Sequence, residues 1–94
     1  MRKIEKTMCL AVSANRSFSC GNTLVTNNDG ETRVYLHGNM IYKRNEDGEF
    51  FTLAGWNTVT TRSRLRALGV DVSQKNFMPY YNGVMIDSYK WYEK

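Results

Sequence analysis

Few residues in this chain suit the common chemistries of protein sites. There is one histidine, His37, one proline, Pro79, and two cysteines, Cys9 and Cys20. A closed zinc site needs four thiolate or imidazole ligands, and the cysteines lack C-x-x-C spacing, so structural zinc is not expected. A disulfide between Cys9 and Cys20 would suit an exported protein. Residues 1–20, however, begin with Arg2 and Lys3 and are interrupted by Glu5, Lys6 and Asn15, which excludes the apolar run of a signal peptide. No stretch approaches the ~20 apolar residues that a membrane span requires. Two reduced cysteines in a cytoplasm is the expectation that follows.

Catalytic patterns are equally scarce. Neither cysteine has a histidine nearby in sequence, and His37 falls late in a predicted strand, where a lone histidine is usually structural. The acids Asp29, Glu31, Glu46, Asp47 and Glu49 cluster at predicted hairpin tips, where such residues solvate turns. Gly38 and Gly48 lie between strands rather than between a strand and a helix, so no phosphate-cradling loop is present. The expectation is a protein that is not an enzyme and uses no metal or cofactor.

What is present describes one small folded unit. With 94 residues, 41% hydrophobic and 23% charged, the chain has room for one domain, residues 1–94, with one core. The net charge of +4 suits nucleic acid, an acidic protein surface or plain solubility. Aromatic residues make up 13%, and six are tyrosines, which favour positions with one apolar and one wet side.

Hydrophobic periodicity predicts a helix from Lys3 to about Ala14, with Ile4, Met8 and Ala11 inward and Leu10 and Val12 widening the stripe. A second helix begins near the N-cap candidates of Asn57–Thr61 and stops at Gly69. Its inward face is Thr61, Leu65 and Leu68. Between the helices, Asp29-Gly30 is a hairpin signal that sets Val25 opposite Val34 and Leu24 opposite Tyr35. Gly38-Asn39 is read as a second turn, with Leu36 opposite Ile41 and Tyr35 opposite Tyr42, or else as a bulge in one long strand. Asp47-Gly48 is read as a third, with Arg44 beside Phe51 and Tyr42 beside Leu53. After helix two, Asn82-Gly83 marks a C-terminal hairpin whose strand with Pro79 is expected at an edge or a bulge. Tyr89 to Tyr92 alternate as a final strand. The fold class is therefore α+β: an antiparallel β-meander and a C-terminal hairpin with two helices, in the order αββββαββ.

Helix two draws the most interest for binding. Arg62, Arg64 and Arg66 carry no acid among them, and the predicted inward face leaves Arg62 and Arg66 on one exposed flank and Arg64 on the other. Guanidinium forks recognise phosphates and carboxylates. The plainer alternative is a solvated helix whose arginines pair with acids of the meander. Charge is also uneven: residues 1–16 hold four bases and one acid, whereas residues 28–50 hold five acids and three bases. If the helices share a sheet face, that face is basic and the hairpin tips acidic. Trp56, at the entry to helix two, is expected as a core anchor. Tyr80, Tyr81, Tyr89, Trp91 and Tyr92 are too many for one small core, so some are expected at an interface or stacking surface.

Taken in order, Gly21-Asn22-Thr23, Val34-Tyr35-Leu36-His37-Gly38-Asn39, Ala54-Gly55-Trp56, Thr60-Thr61-Arg62-Ser63-Arg64-Leu65 and Val72–Phe77 resemble a family of small proteins encoded by tailed bacteriophages. Arg66 departs from that pattern, which favours a polar uncharged residue there. The resemblance implies an accessory protein of the infected bacterial cytoplasm. Such a protein would bind and inhibit or redirect a host protein complex, as in host takeover, anti-restriction or anti-CRISPR action. Partner contacts are then expected at Arg62, Arg64, Arg66, Tyr80, Tyr81 and Trp91. The alternatives are nucleic-acid binding through the basic helices, and a virion or scaffold component that self-associates.

Overall fold

Repeated two-residue turns determine how this chain folds. In the computed structural model, which describes all 94 residues, Asp29-Gly30, His37-Gly38 and Asn82-Gly83 each place two successive residues at positive φ, the geometry that closes a tight hairpin. The resulting strands are β1 (Phe18–Cys20), β2 (Thr23–Asn28), β3 (Glu31–Leu36), β4 (Asn39–Asn45) and β5 (Gly48–Phe51), preceded by helix α1 (Lys3–Ser13). Helix α2 (Val59–Ala67) follows, then β6 (Val72–Lys75), β7 (Met78–Tyr81), β8 (Val84–Met85) and β9 (Tyr92–Glu93). One antiparallel sheet has the order β1-β2-β3-β4-β5-β9, and a smaller one the order β6-β7-β8. The fold is α+β, with the expected meander at its centre.

Two strands escaped the sequence reading, and the expected final strand lies in another place. β1 is three residues long and adds an edge to the meander; β6 turns the expected C-terminal hairpin into three strands. The final aromatic segment crosses to the large sheet, where Tyr92 pairs with Phe51. The Asp29-Gly30 register is as expected, Val25 opposite Val34 and Leu24 opposite Tyr35. The next two turns each fall one residue earlier than expected. Leu36 faces Asn39 and Tyr35 faces Met40; then the ladder shifts so that Val34 faces Tyr42, leaving Ile41 as the extra residue of a bulge. Ile41 and its neighbour Tyr42 are consequently both buried. At the third turn Tyr42 pairs with Phe51 and Arg44 with Glu49, because Glu46 and Asp47 form the loop; the Asn45 side chain accepts the Asp47 N–H at 2.9 Å.

Pro79 lies in the central strand of the small sheet, not at an edge. Its carbonyl accepts the Ile86 N–H at 3.0 Å. A strand residue's N and carbonyl point to the same side, so the missing donor faces chain beyond the two-residue β8 rather than the β6 ladder.

Both helices cover the same face of the large sheet. Met8, Ala11 and Val12 of α1, Leu65 and Leu68 of α2, and Val25, Val34, Tyr42 and Phe51 of the sheet belong to one buried cluster. Thr61, Leu65 and Leu68 point inward as expected. Leu10 does not; it is 70% exposed, because the inward stripe runs through Glu5, Met8, Ala11 and Val12 instead. Thr58 caps α2 by accepting the Thr61 N–H at 3.1 Å, and Gly69, at φ +87°, takes the left-handed position that ends it. The carbonyl end of α1 is capped from across the sheet: Arg44 donates to Val12 O at 2.7 Å and to Asn15 Oδ1 at 2.8 Å.

Candidate interaction surfaces

The arginines of α2 are the first place where structure and expectation part. Arg64 is 3% exposed and Glu5 of α1 is 2% exposed. Arg64 Nη1 donates to Glu5 Oε2 at 2.8 Å, its Nε to Thr23 Oγ1 at 3.1 Å and its Nη2 to Asn22 Oδ1 at 3.4 Å. Ser63 donates to the same Glu5 oxygen at 2.6 Å, while the other oxygen accepts the Arg2 N–H at 3.4 Å, as a glutamate in the third helical position can. Burial pushes the Glu5 carboxyl up, but the Ser63, Arg64 and Arg2 hydrogen bonds outweigh it and hold it below the usual carboxylate range. No buried side-chain polar atom is left unpaired. Arg64 thus locks α2 to α1 and β2.

Arg62 is also buried. It donates to Asn57 O at 3.0 Å, Asn57 Oδ1 at 2.5 Å and Gln74 Oε1 at 2.9 Å, tying the start of α2 to β6. Burial, with Arg66 nearby, lowers its pKa. The exposed flanks expected for Arg62 and Arg64 are therefore corrected: both face the fold, because short polar partners from other elements meet them there. Arg66 alone is exposed, spending one hydrogen bond of 3.1 Å on Val72 O.

The aromatic candidates also separate. Tyr81 turns inward, its ring 4.7 Å from that of Phe51. Tyr80, half-buried, shares the outer side of the small sheet with Met78 and Met85. Trp91 stands over Lys43, whose Nζ is 4.9 Å from its ring, on the face of the large sheet that neither helix covers. The six expected contact residues therefore form no single surface.

Two features were missed. Trp56 is 58% exposed rather than a core anchor, since Ala54 and Gly55, both at positive φ, swing the chain outward before it. It rims a cleft of about 450 Å³ with His37, Thr58 and Thr60 above a floor of Leu36, Ile41 and Leu53. His37 accordingly sits in the β3–β4 turn at φ +50°, not within a strand. The second feature is the small sheet itself, where Phe77, Met78, Val84 and Met85 are all exposed. Phe77, 87% exposed, occupies the β6–β7 turn at φ +65°, beside Asn76 at φ +51°. A bulky residue is strained there. The Asn76-Phe77 pair between two short extended runs was the available signal, obscured because phenylalanine is a poor turn residue.

No set of three or more His, Cys, Asp or Glu side chains lies close enough to hold a metal ion. The Cys9 thiol donates to Ala67 O at 3.2 Å, and burial pushes its pKa up, which suits packing more than nucleophilic attack.

Fold and surfaces together define a small α+β protein that offers exposed side chains for contact and encloses its polar network. Its family follows from the whole chain: residues 1–94 match the Kyanoviridae Gp96 protein family, and the chain belongs to this bacteriophage (cyanophage) family of small proteins. No curated protein and no solved structure matches it. No helix is long and apolar enough to cross a membrane.

Proposed function

We propose that this phage protein works as a non-enzymatic accessory factor in the host cytoplasm, docking a host protein complex on the apolar face of its small sheet. The observation that carries this reading is Phe77. The β6–β7 hairpin needs the left-handed backbone, and Asn57 Nδ2 donates to the Phe77 carbonyl at 3.2 Å, but a glycine or asparagine would serve the turn without strain, and nothing inside the molecule covers the ring left in water. Local rules broken without internal compensation are a mark of functional positions. Met78, Met85 and Tyr80 extend the surface, and methionine and aromatic residues are the types enriched at protein interfaces. The arginines named from sequence support it differently: Arg62, through Gln74 of β6, braces this sheet against α2.

The test is affinity capture of the tagged protein from infected cells, with and without nuclease, beside Phe77→Gly and Met85→Ser variants checked for folding by circular dichroism. The expected result is one host complex that survives nuclease with the wild type and is lost with both variants. Recovery of nucleic acid alone, or of proteins lost on nuclease treatment, refutes it. So does recovery only in purified virions, which favours a structural component.

A further inference from the structure

The polar network of α1 has an electrostatic consequence. Arg2, Lys3 and Lys6 are all exposed around the first turns of α1, and Lys3 and Lys6, like Arg2 and Lys6, are spaced to share a helix face. The N-terminus of a helix carries the positive end of its dipole, so cations there are disfavoured, and like charges three or four residues apart repel. One acid stands in that turn, Glu5, and it is turned inward onto Arg64. Arg66 joins the group from α2, since it lines one shallow depression with Met1, Glu5, Ser63 and Ala67. The ion pairs of the molecule are Arg33–Glu31, Arg64–Glu5 and Lys94–Glu49, so Arg2, Lys3, Lys6 and Arg66 are all unpaired.

The opposite charge is gathered elsewhere. Arg64 reaches Thr23 at the start of β2, whereas the far end of that strand leads into the turn of Asp29. The five residue-to-residue steps from Thr23 to Asn28 separate these ends by about 17 Å. There Asp29, Glu31, Glu46 and Asp47 line one hollow, in which Arg33 is the single base. The molecule is thus polarised along its strands, basic at the start of α1 and acidic at the hairpin tips.

We propose that the basic end, formed by Arg2, Lys3, Lys6 and Arg66, binds the phosphate backbone of double-stranded DNA without reading sequence. A polyanion relieves the repulsion that the fold leaves uncompensated, and the acidic tips orient the molecule by pointing away. DNA suits the surface better than an acidic protein does. Lysine is depleted at protein interfaces, whereas lysine and arginine side chains are standard phosphate contacts. This surface shares no residue with the apolar face of the small sheet.

The experiment measures fluorescence anisotropy of a labelled 20-bp duplex with the purified protein across a salt series. Four phosphate contacts give a slope of log affinity against log salt near −3.6, so binding weakens about a hundredfold between 50 and 200 mM salt. Duplexes of unrelated sequence bind alike. Lys3→Gln and Lys6→Gln each lower the slope by about one, and the quadruple variant Arg2→Gln/Lys3→Gln/Lys6→Gln/Arg66→Gln does not bind. Its melting temperature is no lower than wild type, because it loses repulsion and no internal contact except the Arg66–Val72 hydrogen bond. Failure of the wild type to bind at 50 mM salt overturns the proposal. So does unchanged binding by the folded single variants, or poly-L-glutamate competing more strongly than DNA.

Discussion

The two sheets of this protein are built from similar residues and meet different fates. In the large sheet Val25, Val34 and Phe51 are wholly covered, because two helices lie over one face and are pinned there by Glu5, Arg44 and Arg64. In the small sheet Met78 and Met85 stand in water on one side, and on the other Val72, Pro79 and Tyr81 reach the core while Val84, opposite Tyr81, stays exposed. Valine and aromatic residues make strands in both. What differs is cover, and cover decides which region holds the fold and which is free for contact. Regions with few buried apolar contacts open most easily and tend to supply binding surfaces.

That contrast can be broken hardest at its pins. Arg64→Ala leaves the Glu5 carboxylate buried without its cation and is expected to cost about 3–5 kcal/mol in chemical denaturation. A Glu5→Gln/Arg64→Met double variant should lose much less than the two single changes added together. Leu65→Ala, a cavity beneath α2, is expected to cost about 2–4 kcal/mol, read from the same denaturation curves.

Acid should loosen the large sheet's cover by a smaller, graded amount. Glu5 is held below its ordinary value of 4.5 in the folded protein, so its stabilising contribution is complete above that value. As the pH falls below about 4.5 the unfolded chain takes up the proton first, and stability is lost through the folded value. Thermal melts between pH 7 and 3 should show this slope, and Glu5→Gln should flatten it.

The smallest effect, and the one of opposite sign, belongs to the small sheet. Phe77→Gly removes an exposed ring and relieves a left-handed backbone, so stability should rise by about 0.5–1 kcal/mol. Such a gain combined with lost partner capture would separate the two regions cleanly; a destabilised variant would return Phe77 to the core side of the comparison.

Much of the covered region was legible because its signals are local. Asp29-Gly30 fixed one register through two residues that tolerate positive φ, and Leu65 and Leu68 declared a helix face by spacing alone. The later hairpins slipped by one because His37, not Asn39, took the left-handed position beside Gly38, and because Glu46-Asp47 rather than Asp47-Gly48 formed the third loop. The arginines were misplaced for a different reason. Glu5 and Gln74 lie far from α2 in sequence or on another element, so a helical wheel drawn on α2 alone sends Arg62 and Arg64 to solvent. Trp56 failed likewise, since its exposure depends on the backbone of Ala54 and Gly55 rather than on tryptophan's own preference.

The bridge between Glu5 and Arg64 also orders events in time. It joins residues 59 positions apart, whereas each hairpin of the meander closes a loop of two residues. Short loops close at far smaller entropic cost, so the meander is expected to zip first and the α1–α2 clasp to shut last. Changes at the clasp should then appear chiefly as faster unfolding, and changes at the Asp29-Gly30 turn as slower folding. For a protein made during infection, the clasp is the latch that sets how long the finished molecule survives.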